Sequence, residues 1–222
     1  MQTYILYLLL LIVSYLAGSI PFSYIITRLS THKNILEIGW KKSSGSNVLK
    51  NVGKWQGVLV FLLDVAKGFF VIWLARELGT PAYFQSLCGV AAVVGHNWSI
   101  FLKGSGGRGL AALVGALLAF SPLFLAIILL PTILLTFLWT ASIGTLLSLA
   151  FGIAIGFGCV YCKPMGLMLL ISLTPIFIKR LSPIKEIPGA KNKAELIKNR
   201  LLFDQDTVPP LRITKYFNKK KA

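Results

Sequence analysis

The sequence predicts an all-α, polytopic integral membrane protein with about seven transmembrane helices. Three observations carry this. Of 222 residues, 55% are hydrophobic and only 14% charged, with a mean hydropathy of +0.74, far above an ordinary soluble domain. Apolar runs recur at the roughly 20 residues that a helix needs to cross hydrocarbon. The cations gather in particular connections between those runs, as they do where loops face the cytoplasm.

The first apolar run extends from about Tyr4 to Thr27. It has no basic stretch before it and no small-residue cleavage pattern after it, so it reads as a retained span. GSIP (18–21) interrupts it, and the backbone groups released there must find protein or water, not lipid. A polar, basic loop follows at 28–54. The second run, about Val58 to Ala75, contains Asp64 and Lys67. A break with Arg76, Glu77, Gly79 and Pro81 leads to a third, about Tyr83 to Leu102. From Gly109 to Ile178 the chain is apolar for too long to make two spans, and three breaks divide it: Ser121-Pro122, Thr140 to Ser142, and Cys162-Lys163-Pro164. That division makes the fourth span, Gly109 to Phe120, short. After Ile178 the chain turns basic and proline-punctuated.

Seven spans put the termini on opposite sides. Loop 28–54 carries six cations and the tail from Lys179 carries twelve. Both fall on one face, expected to be cytoplasmic, with the N-terminus outside. The expected organisation is a transmembrane domain over 1–180 and a basic cytoplasmic tail over 181–222, in the cell (plasma) membrane. The net charge of +16 would suggest nucleic acid in a soluble protein. Here it points to anionic lipid headgroups, with Lys219, Lys220 and Lys221 lying on them, and to no nucleic-acid partner. Cys159 and Cys162 form C-x-x-C, but without a second pair they make no zinc site and read as packing residues.

The chemistry is expected at the cytoplasmic face. LKGSGGRGLA (102–111) precedes a span, so its glycines sit at a helix N-terminus. Successive N–H groups of Gly106, Gly107 and Gly109 can form an anion nest, and Arg108 offers a planar fork suited to phosphate. The alternative is a flexible turn with an arginine at the headgroups. In SSGSNVLK (43–50), Ser43, Ser44, Ser46 and Asn47 offer donors, and Lys50 lies one turn after Asn47. Two candidate phosphate sites on one face predict a phosphorylated substrate. Asp64 and Lys67 share a helix face inside the membrane, where an ion pair is the default. His96 is a candidate general base, or it fixes the following loop through a neighbouring carbonyl. Trp98 fits the interfacial belt. No metal or cofactor is called for.

GSIPFSYIITRL, then NVLKNVGKWQGVLVFLLDVAKG, then GHNWSIFLKGSGGRGLA resembles the bacterial acyl-phosphate:glycerol-3-phosphate acyltransferase family, in order and spacing over roughly 15–120. The resemblance implies a seven-span enzyme that moves an acyl group from acyl phosphate to the 1-hydroxyl of glycerol 3-phosphate. The products are lysophosphatidic acid and phosphate, with no metal, cofactor or covalent acyl-enzyme. It also implies that Gly106, Gly107, Arg108 and Gly109 form the family's phosphate loop, with arginine for lysine. Asn47 and Lys50 fall on the motif that closes the first loop, and Ser46 replaces a threonine. Ser19, Asp64, Lys67, Asn97 and Arg200 are expected to support the site. The stretch Gly39 to Asn47 departs from the family's G-S-G-N-x-G-A-T-N, with Lys41 and Lys42 added. Ala194 and Ile197 occupy the positions of a histidine and an asparagine in the family's tail. Asp206 stands where the family has a final acid. These departures leave open an inactive relative, one with another acceptor, or a transporter or headgroup binder.

Overall fold

The computed structural model describes residues 2–210. Lys219, Lys220 and Lys221 of the basic tail lie outside them. Among the described residues every regular element is a helix. The chain divides into two compact units, Met1–Pro122 and Leu123–Ala222.

The first unit contains α1 (Gln2–Ser19), α2 (Phe22–Thr31), α3 (Gly45–Asn51), α4 (Lys54–Glu77), α5 (Ala82–Asn97) and α6 (Leu110–Phe120). The GSIP break falls between α1 and α2 as the sequence predicts. Its exposed backbone is satisfied by protein: Lys67 Nζ donates to the Ile20 carbonyl at 3.0 Å, and Ser99 Oγ donates to that of Ser19 at 2.6 Å. The third apolar run ends at Asn97, earlier than its hydropathy suggests. There the chain folds into a turn in which Ser99 N–H meets the Ser105 carbonyl (3.2 Å) and Gly104 N–H meets that of Ser99 (2.8 Å).

Small residues set the packing of this unit. Tyr7 stacks on Phe84 with centroids 4.0 Å apart, Leu10 clusters with Cys88, and a Cβ on Gly18 would overlap the backbone of Ala92. So α1 and α5 run parallel at backbone contact. A Cβ on Gly68 would overlap the Ala112 carbonyl, and Arg76 reaches the Ala119 carbonyl at 2.6 Å, so α4 and α6 also run parallel. Ala75 sits beside Leu10 while Lys67 reaches Ile20, which makes α4 antiparallel to α1. Close approach through glycine and alanine is how helices associate where no hydrophobic drive separates protein from lipid.

The second unit begins with α7 (Pro122–Leu138), which starts at the boundary, and continues through α8 (Ala141–Gly158), α9 (Lys163–Arg180) and α10 (Lys193–Phe203). The predicted breaks appear at Ser121-Pro122 and at Thr140, whose hydroxyl caps α8 by accepting from Ile143 N–H at 3.3 Å. Thr132 and Ser148 share a hydrogen bond of 2.7 Å between α7 and α8. Gly156 meets the backbone of Gly166 between α8 and α9.

Four stretches are long and apolar enough to cross a membrane: Gln2–Thr31, Lys54–Glu77, Ala141–Gly158 and Val160–Arg180. Helices stand at the other three predicted spans but are shorter: α5, Leu110–Phe120 and Pro122–Leu138.

Candidate active site

The polar centre of the first unit is built on the middle of α4. Asp64 and Lys67, one turn apart, form an ion pair of 2.8 Å, each side chain 4% exposed. The pairing is the one the sequence predicts, and burial explains why it is obligatory: either charge alone would be costly away from water. Two further groups complete it. Lys67 spends a second proton on the Ile20 carbonyl and lies 5.6 Å over the Phe22 ring. His96 brings Nδ1 to 3.5 Å from Asp64 Oδ1. The carboxylate is thus flanked by a cation and an imidazole from different helices.

These residues line a small polar cleft with Ser19, Ser23, Ser43 and Ser99. Ser23 and Ser43 share a short hydrogen bond between their hydroxyls, 20 residues apart. Ser19 Oγ is buried and has no hydrogen-bond partner among the described residues. A satisfied hydroxyl is the rule in a protein interior, so Ser19 presents an unspent donor and acceptor to the cleft. Ser23 and Ser99 escape a reading by motif. The available signal was Ser23, one turn past Ser19 in the interrupted helix.

The glycine loop packs behind two residues of the cleft, His96 and Ser43. Gly106, Gly107, Arg108 and Gly109 are all buried, and the reason for glycine is mainly close approach. A Cβ on Gly106 would overlap the His96 and Asn97 carbonyls, and one on Gly107 would overlap His96 Nε2 and the Ser43 carbonyl. Gly109 has φ +75° and forms the N-cap of α6. Its position at a helix N-terminus matches the expectation. The simple anion nest does not: Gly107 N–H already donates to the His96 carbonyl at 3.1 Å. The loop is held by the main-chain carbonyl of His96, where the alternative role expects its ring to do so, and the ring lines the cleft. Arg108 is 8% exposed and engaged with the protein, so it is a buried, held cation, not a mobile surface fork. Asn97 is fully buried beside Gly109. Trp98 lends its carbonyl to the Tyr15 hydroxyl at 2.9 Å.

The first loop uses its donors differently from the expectation. Asn47 is fully buried. Its amide Nδ2 donates to the Ile38 (3.1 Å) and Lys42 (2.9 Å) carbonyls, while Oδ1 accepts from Trp40 N–H at 3.1 Å. It is the staple of the loop. Ser44 caps α3, accepting from Asn47 N–H at 3.3 Å. Ser46 is exposed, and the Lys50 ammonium lies 5.1 Å over the Trp40 ring. The serine carried to the cleft is Ser43, held there by the loop that Asn47 shapes.

Arg200 belongs to the second unit and is held within it. It donates to Asp206 at 2.7 Å, to Glu186 at 2.6 Å, and to the Leu181 and Pro183 carbonyls. Its hydrogen bond with Asp206, ahead of every other influence, raises the guanidinium pKa above its ordinary value. Asp206 thus does pair with Arg200. Ala194 and Ile197 line an apolar groove of about 880 Å³ with Leu146 and Phe177, so that face of α10 is greasy. Among the described residues no group of three or more His, Cys, Asp or Glu is placed to hold a metal ion.

Residues 8–187 match the family of Glycerol-3-phosphate acyltransferase. Glycerol-3-phosphate acyltransferase 4 of Dehalococcoides mccartyi (strain CBDB1) is 32% identical over 219 residues, covering 90% of this chain and 89% of its own. Glycerol-3-phosphate acyltransferase 2 of Moorella thermoacetica is 42% identical over 120 residues, 54% of this chain and 61% of its own. Among solved structures, PlsY (YgiH), an integral membrane glycerol 3-phosphate acyltransferase in its glycerol 3-phosphate form, is similar with a TM-score of 0.72. The identity is 26%, over 82% of this chain and 92% of that one. Its lysophosphatidic acid form gives 0.69 at 27% identity.

Proposed function

The chain belongs to the glycerol-3-phosphate acyltransferase family, and from that premise we propose how it works as a multi-pass membrane enzyme making lysophosphatidic acid. The acyl donor is acyl phosphate, a mixed anhydride that is already activated. The oxygen of the glycerol 3-phosphate 1-hydroxyl attacks the acyl carbonyl, the carbon–oxygen bond to phosphate breaks, and inorganic phosphate leaves. Such a reaction asks mainly for positioning and for charge stabilisation.

His96 Nε2 takes the hydroxyl proton while Asp64 holds the opposite ring nitrogen, the usual division of labour for a buried imidazole and carboxylate. Lys67 supplies the counter-charge beside Asp64. Ser19, Ser23 and Ser43 hold oxygens of the substrates. Arg108, with the buried turn Gly106–Gly109 and the N-terminus of α6, supplies positive potential for a phosphate. Asn47, Ser44, Ser46 and Lys50 act through the loop that carries Ser43. The span arrangement is seven, with the N-terminus outside, and the alternating directions of α1, α4 and α5 support it. The domain over 1–180 lies in the plasma membrane, and the basic tail rests on anionic headgroups.

The observation that carries this reading is the convergence, inside one unit, of His96, the Asp64–Lys67 pair and four serines on one small polar cleft. The test is turnover by membranes containing the protein, supplied with acyl phosphate and radiolabelled glycerol 3-phosphate. Lysophosphatidic acid and phosphate should form in equal amounts, and His96→Ala should lose turnover. Turnover with a thioester donor alone would overturn the assignment of acyl phosphate.

A further inference from the structure

The sequence reading sets Cys159 and Cys162 aside as packing residues, but the structure places them in a turn. Cys159 follows the last residue of α8, and Cys162 precedes the first residue of α9. Between them Val160 is 71% and Tyr161 91% exposed, so this corner projects from the fold. Cys162 N–H donates to the Cys159 carbonyl at 3.1 Å, closing a four-residue turn. Such a turn brings its first and last Cα atoms within about 7 Å, and disulfides use Cα separations of roughly 4.4–6.8 Å. Both cysteines are partly accessible, whereas Cys88 is buried.

We propose that Cys159 and Cys162 form a reversible dithiol–disulfide site that exchanges with a disulfide-bearing partner. Three features favour it. The turn brings the two residues together, and their thiols already share a hydrogen bond, so the sulfurs face each other. Lys163 and the N-terminus of α9 lie next to the pair and favour a thiolate, whereas burial first of all pushes the Cys162 thiol up to about 11, which makes Cys159 the attacking sulfur. The Cys159 thiol is held below its ordinary pKa, first of all by a hydrogen bond with Cys162. On the inner side of the corner Gly156 lies against Gly166, so α8 and α9 are in backbone contact beside the pair.

The exchange balances without another reagent. The Cys159 thiolate attacks one sulfur of the incoming disulfide, forming a mixed disulfide and releasing one thiolate. The Cys162 thiolate then attacks Cys159 Sγ, closing the internal bond and releasing the second. The partner gains the two electrons, and the protons of Cys159 and Cys162 end on its thiols. The site is remote in kind from acyl transfer and does not depend on that reading.

The experiment uses the full-length protein purified in detergent and treated with glutathione disulfide. Intact mass should fall by two hydrogens (~2 Da), and Cys159 and Cys162 should lose maleimide labelling together, with dithiothreitol restoring both. Cys162→Ser should instead trap glutathione on Cys159, and Cys88→Ser should behave as the unaltered protein. Glutathione adducts on both cysteines of the unaltered protein, or continued labelling of both, would overturn the site. Acyl transfer measured on the same samples separates this result from the proposed function, since either can fail alone.

Discussion

The two units bury charge in different ways. In the first, Asp64, Lys67 and His96 meet between helices, and the cluster opens onto a cleft lined with serine hydroxyls. In the second, Arg180 and Arg200 are buried at helix ends. Arg180 NH1 donates to the Leu201 carbonyl at 2.7 Å and NH2 to that of Ser142 at 3.3 Å. Arg200 spreads its donors over two carbonyls and two carboxylates. The arginines tie α8, α9 and α10 into one corner, and the cavity beside them is apolar. Buried charge facing a polar cleft has work to do on a ligand. Buried charge facing main-chain carbonyls holds helices in place.

The sharpest break of that comparison is Arg108→Ala. If Arg108 supplies the positive potential for phosphate, turnover should fall by at least ~100-fold, the scale of losing one preorganised donor. The amount of protein in the membrane should change little. Turnover within a few-fold of the unaltered enzyme would make Arg108 a structural residue like those of the second unit.

Next in size is the α4 pair. Asp64→Asn leaves the Lys67 ammonium buried without its counter-charge, a loss of about 3–5 kcal/mol, readable as a lower melting temperature in detergent. Replacing both groups, Asp64→Leu with Lys67→Met, should recover most of that stability without recovering turnover. Recovery of both would mean that the pair serves folding alone.

How much of this was legible in the sequence follows from the range of the interactions. The Asp64–Lys67 pair is one helical turn, and the GSIP, Ser121-Pro122 and Thr140 breaks are local, so spacing and turn chemistry revealed them. Ser23 and Ser43 meet across 20 residues and from different segments, and no local pattern marks that meeting. By residue type alone Asn47 fits a donor to substrate. The structure spends its amide on Trp40, Ile38 and Lys42 because a short basic loop otherwise has few ways to satisfy its backbone. The glycines of 106–109 were read for their N–H groups, whereas the nearer constraint is the lack of a Cβ beside His96 and Ser43. Arg200 was readable from the family motif. Its carbonyl partners were not, since they depend on how α9 turns at Leu181 and Pro183.

The second unit can be tested in the same terms. Arg200→Met removes the charged donors that hold the Leu181 and Pro183 carbonyls in two partly buried hydrogen bonds. A cost of about 2–3 kcal/mol is expected, measured by thermal unfolding or by protease sensitivity of α10. The effect on turnover should be smaller than that of Arg108→Ala, because the arginine acts on helix placement.

The smallest expected effect isolates which of Arg200's partners matter. The Glu186 and Asp206 side chains are 59% and 63% exposed, so water and salt screen their attraction to the guanidinium. Pairs of that kind contribute at most about 1 kcal/mol. Glu186→Gln keeps an acceptor in the same place and removes only the charge. It should shift stability by no more than ~0.5–1 kcal/mol, and raising the salt concentration should shrink the difference further. If Glu186→Gln instead costs as much as Arg200→Met, the carboxylate holds the guanidinium and the carbonyls are incidental. The buried charge of the second unit would then depend on an ion pair, as that of the first does.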